Sequence, residues 1–169
     1  MQTTSIKLYT MGYNEAKTYL VAAMFIVGNI ALPQLCHLMP QGGMIWLPIY
    51  FFTLIGAYKY GWKVGLLTAI VSPLLNHILF GMPAAAVLVP ILVKSTLLAL
   101  AAGYTASHTR KVSIILMAAV VAFYQIVGGM AEWAMVDLNA AMQDFRLGLP
   151  GMALQIVGGY LFIKYLLRK

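Results

Sequence analysis

Long apolar runs, broken by short clusters of Pro, Gly and polar residues, organise this chain. Six runs stand out, at about 18–39, 44–58, 62–80, 83–104, 112–135 and 147–167. Between them lie Pro40-Gln41-Gly42-Gly43, Lys59-Tyr60-Gly61, Gly81-Met82-Pro83, Ser107–Lys111 and a longer polar stretch, Asp137–Arg146. Strand-like alternation is absent and every run exceeds strand length, so the pattern predicts helices. A membrane-crossing helix needs about 20 apolar residues. The expected fold is therefore an all-α integral membrane protein, a bundle of six transmembrane helices forming one membrane domain over 1–169. The second run is short for a span, which predicts a helix that is little tilted or mostly buried.

Composition excludes the alternatives. The chain is 62% hydrophobic and 9% charged, with a mean hydropathy of +0.87, against about 25% charged in an ordinary soluble domain. Intrinsic disorder requires the opposite balance. Six spans in 169 residues leave no space for a soluble catalytic or ATP-binding domain. The net charge of +7 sorts by side, because Lys7, Lys17, Lys59, Lys63, Arg110, Lys111, Lys164, Arg168 and Lys169 share one side of a six-span topology. Arg146 falls opposite and Lys94 lies within a span. Basic loops face the cytoplasm, so both termini are expected there. No basic run carries the interleaved aromatics of a nucleic-acid groove, so the partner is the lipid bilayer and no nucleic acid. Met1–Ala16 lacks the apolar core of a removable signal peptide and reads as a polar or interfacial lead-in. Cys36 is the single cysteine, too few for a disulfide or a metal cage. His37, His77 and His108 lack metal-ligand spacing, so neither metal nor cofactor is expected.

Polar groups within the apolar runs carry the candidate chemistry, since an ionisable side chain in hydrocarbon is costly. Lys94 lies about eleven residues into the fourth run, roughly 16 Å from its outer end. In the fifth run Tyr124, Gly128 and Glu132 recur every four residues, as do Gln125, Gly129 and Trp133. Each trio therefore forms one stripe, with glycines that permit close approach. Helix packing through small residues accounts for the glycines, but not for Glu132, Gln125 and Trp133 around them. The stripes are read as a pocket wall. Gln125 is at the depth of Lys94 and Glu132 lies nearer the outer face, so the reach of the lysine decides whether Lys94 meets Glu132. Gln155, Asn29 and His77 add polar groups from the sixth, first and third runs, and Asp137 stands in the outer polar stretch. No nucleophile elbow, metalloprotease motif or phosphate loop is present. Glu132 and Asp137, five residues apart, are poorly placed as a catalytic pair, and the chain is not expected to be an enzyme.

Three stretches resemble the substrate-binding S components of energy-coupling factor (ECF) vitamin transporters. They are the small-residue helix Ala22–Asn29, the segment Gly56–Leu67 between the second and third helices, and Pro90–Lys94 running into Ala99–Gly103. The resemblance covers most of the chain and is one of pattern. It implies capture of a vitamin-like small molecule from outside, at the inner membrane of a prokaryote. Delivery would proceed through an ECF coupling transmembrane subunit and two ATPase subunits. It implies ligand contacts from the last three helices and outer loops, where this chain has Lys94, Tyr124, Gln125, Glu132, Trp133, Asp137 and Gln155. It also implies docking through small residues of the first helix. Here those are Ala22, Ala23 and Gly28, which depart from the family's Ala-x-x-x-Ala pattern. The competing expectations are a stand-alone small transporter and a membrane scaffold of the MreD type.

Overall fold

The computed structural model describes residues 4, 5 and 8–166. Lys7, Arg168 and Lys169, three of the expected inner-face anchors, lie outside the described residues. The chain is an all-α membrane bundle. Its helices are α1 (Ala16–Cys36), α2 (Gly42–Trp46), α3 (Pro48–Tyr60), α4 (Trp62–Phe80), α5 (Ala85–Thr109), α6 (Ile114–Met135), α7 (Leu138–Leu147) and α8 (Leu149–Leu161), the last continued by a π-helical turn, Phe162–Leu166. Among the described residues, five helical segments are long and apolar enough to cross a membrane: α1, α4, α5, α6, and α8 with its π-helical turn.

The second apolar run departs most from expectation. It folds as two helices rather than one, because Leu47 takes a left-handed conformation (φ 46°). Leu47 precedes Pro48, and a residue before proline is driven out of the right-handed helical region. Pro48 then starts α3, where its missing N–H costs nothing. At 13 residues, α3 is only about 20 Å long. It is the central helix, packed against α1, α4, α5 and α8. Ten of its residues are buried, so its surroundings are protein rather than lipid.

Close helix contact is achieved through small residues, as expected where no water is available to drive association. A Cβ on Gly65 of α4 would come within 2.3 Å of Ala57 Cβ on α3. A Cβ on Gly103 of α5 would come within 2.7 Å of the Trp62 backbone at the start of α4. Prolines inside helices free carbonyls that must find other donors. Pro33 in α1 leaves the Asn29 carbonyl without its helical partner, and Asn76 Nδ2 of α4 donates to it at 3.0 Å. Asn29 in turn donates to Thr53 Oγ1 at 2.9 Å and accepts from the Phe52 N–H at 3.1 Å. One buried polar knot thus ties α1, α3 and α4.

The two ends of the bundle differ. At one end, Lys111–Val112 pairs antiparallel with Thr4–Ser5, a two-residue ribbon in a chain with no strand-like alternation. There the Tyr9 N–H bonds the Lys59 carbonyl (2.9 Å), and Tyr58 Oη donates to the Lys111 carbonyl (2.6 Å). Lys59 is buried, with its ammonium 5.4 Å from the centre of the Tyr9 ring. At the other end lie the α1–α2 connection, the Gly81–Ala84 turn and α7. The polar stretch expected there as a connection is a helix, capped by Asp137, whose Oδ1 accepts from the Ala140 N–H at 2.8 Å.

Candidate functional site

A cavity of about 630 Å³ opens at this second end. Its wall comes from the end of α1 (Pro33, His37), the segment Leu38–Met44, the α2–α3 break (Leu47–Tyr50), the turn Met82–Ala84, and Val87 and Ile91 of α5. Asn76 and Asp144 add polar groups to those of His37, Gln41 and Tyr50. Irregular backbone at membrane depth is tolerated where it lines a cavity. Both left-handed non-glycine residues of the α1–α3 region, Gln41 (φ 55°) and Leu47, stand in this wall. His77 secures the turn, its Nδ1–H donating to the Pro83 carbonyl at 2.7 Å.

Beside the cavity, three ionisable groups from three helices meet. Lys94 of α5 donates to Glu132 Oε2 of α6 at 2.5 Å and to Asp144 Oδ2 of α7. Lys94 is 2% exposed and Glu132 6%, whereas the Asp144 side chain keeps 21% exposure and reaches the cavity wall. The reach of the lysine thus brings Lys94 and Glu132 together. Gly128 explains how: a Cβ there would lie 2.5 Å from Lys94 Cγ. The hollow that the glycine leaves in α6 holds the lysine stem, while Gly129, one residue on, faces open space. The arrangement carries one cation and two carboxylates in a site largely closed to water, so it is electrostatically incomplete by one positive charge.

The other expected residues distribute around this centre. Tyr124 is buried, donates to Gln155 Oε1 at 2.9 Å, and packs against Tyr50, with ring centres 5.3 Å apart. Through Tyr50 this pair touches the cavity. Gln125 is buried with neither side-chain atom hydrogen-bonded, and Gln155 Nε2 and Ser95 Oγ are likewise unpartnered. Asn29 belongs to the α1–α3–α4 knot, His77 to the turn and Asp137 to the α7 cap. Trp133 is 56% exposed on the outside of the bundle, away from the Lys94 side of α6. Of the expected docking residues, Ala22 is buried and Gly28 sits under the Phe52 ring, 2.8 Å from where its Cβ would be. Ala23 alone is exposed. Among the described residues, no group of three His, Cys, Asp or Glu side chains could hold a metal ion.

Sequence reasoning missed Asp144, Tyr50, His37 and the α2–α3 break. Pro48 inside an apolar run was the available signal for the break. For Asp144 the signal was a buried lysine whose carboxylate partners had to come from a chain with only four acidic residues. No family model matches this chain, and neither a curated protein nor a solved structure is detectably similar to it.

Proposed function

We propose that this chain is the membrane-embedded substrate-binding subunit of an ECF-type importer, capturing a vitamin-like micronutrient at the cavity. In this reading the chain crosses the inner membrane of a prokaryote six times, through α1, the α2–α3 pair, α4, α5, α6 and α8. Both termini are cytoplasmic and the cavity faces outward. The observation that carries it is the cavity itself, about 630 Å³, mainly apolar, with a few convergent polar groups, which is the composition of a small-molecule site. None of the described lysines and arginines lines the cavity. Lys17, Lys59, Lys63, Arg110 and Lys111 lie at helix ends remote from it, which supports the orientation. Gly65 and Gly103 hold α3, α4 and α5 together as a rigid block. The α1–α2 connection and α7 are the parts that move when a ligand enters. A partner coupling subunit and two ATPases supply the energy, and this chain supplies recognition.

A thermal-shift screen of the purified protein against vitamins and nucleobase-like compounds tests the capture step. Stabilisation by at least one compound is expected, together with co-purification of a coupling subunit from the native membrane. No shift from any compound would overturn the reading in favour of a scaffold without a ligand.

A further inference from the structure

Two carboxylates share a single ammonium beside the cavity, and the cavity wall contains one of them. Asp144 is the one charged side chain among the residues that line it, and His37 is the one lining imidazole. Lys94 engages Asp144 through Oδ2, and no other group among the described residues hydrogen-bonds the Asp144 carboxylate. A ligand anion that approached Lys94 would be the third anion on one ammonium, and it would have to pass Asp144 to reach it. A ligand cation meets an acceptor that is partly open to the cavity and restores neutrality to a site largely shielded from water, where an uncompensated charge is costly. The cavity wall to which Asp144 belongs is otherwise mainly apolar, and includes the Tyr50 ring, Ile91, Val87 and Leu47.

We propose that the captured molecule is an organic cation, an amine or nitrogen-ring cation on an apolar or flat body, whose positive group docks on Asp144. This inference rests on the capture reading and names its substrate class. Glu132 keeps Lys94 in place and so leaves Asp144 partly free for the ligand. The positive charge of the ligand, rather than its ring system, is then what the site selects first.

The test titrates the full-length protein in detergent with probes sorted by charge at pH 7. The cations are thiamine, choline, pyridoxamine and agmatine; the neutral compounds are riboflavin, pyridoxine and hypoxanthine; the anions are biotin, pantothenate and nicotinate. Binding by at least one cation and by none of the anions is expected. Asp144→Asn, which preserves shape and leaves the Lys94–Glu132 pair intact, is expected to weaken that cation by about tenfold or more. Binding of an anion or a neutral compound, undiminished in Asp144→Asn, would overturn the cation assignment and leave the capture reading standing. Stabilisation by sodium alone, absent in N-methylglucamine buffer and not increased by any organic cation, would overturn it in favour of a bound metal cation. Binding of none of the probes would overturn both readings together.

Discussion

Lys94→Met is the most informative single change in this molecule. It keeps most of the side-chain volume in the Gly128 hollow and removes only the charge. Glu132 Oε2 and Asp144 Oδ2 bond the same nitrogen, so the two oxygens lie within about 5 Å of each other, given ordinary hydrogen-bond lengths. At an effective dielectric constant near 20, two negative charges about 5 Å apart repel by roughly 3 kcal/mol. The lost attraction adds to this, and removing one partner of a buried ion pair generally costs about 3–5 kcal/mol. We expect Lys94→Met to lose stability in that range. The assay is SDS-induced unfolding in micelles, followed by the fluorescence of the three tryptophans. Adding Glu132→Gln and Asp144→Asn to Lys94→Met removes every charge and is expected to restore at least half of the loss. A single variant within about 1 kcal/mol of wild type would refute the electrostatic account. So would a triple variant no more stable than the single, since packing alone would then explain the damage.

Other variants probe neighbouring features. Gly128→Ala places a Cβ 2.5 Å from Lys94 Cγ and is expected to cost about 1–3 kcal/mol in the same unfolding assay. Gly129→Ala, with nothing within 4 Å, should stay within about 1 kcal/mol of wild type; equal effects at the two glycines would contradict the placement of the lysine stem. Asn76→Ala orphans the Asn29 carbonyl freed by Pro33 and should cost about 1–3 kcal/mol. That cost should shrink in a Pro33→Ala background, where the substituted residue supplies the missing N–H, and an unchanged cost in the double-mutant cycle would remove the proline from the explanation. For orientation, a membrane-impermeant maleimide added to intact cells should label His37→Cys but not Lys63→Cys, each in a Cys36→Ser background. The reverse pattern would invert the topology.

The parts of this fold legible in sequence were those set by hydropathy over long windows. The α4 and α6 runs match their expected limits to within two residues because lipid-facing helices must be apolar for their whole length, whereas α5 runs five residues past its expected end, through Ser107–Thr109, which the sequence reads as a break. The α2–α3 pair was less legible, since a helix enclosed by protein need not be 20 residues long and its length is set by neighbours distant in sequence. Lys94, Glu132, Tyr124 and Gln155 were identifiable because polar groups in an apolar run stand out. Asp144 did not stand out, since it lies in a stretch that is polar throughout, and only the packing of α7 against α6 brings it within reach of its buried partner, Lys94. Trp133 shows the opposite limit. Its stripe runs one residue beside that of Glu132, and an offset of one residue on a helix turns a side chain by about 100°, enough to move it from the bundle interior to the outside.

The claim that this chain captures a small molecule at its cavity is tested most directly by native mass spectrometry of protein released intact from its own membrane. Wild type should carry a one-to-one small-molecule adduct. Val87→Trp, which projects an indole from the wall into the cavity of about 630 Å³, should deplete the adduct while the protein retains its wild-type unfolding midpoint. Wild-type protein without an adduct, or an adduct that persists unchanged in Val87→Trp, would contradict the account.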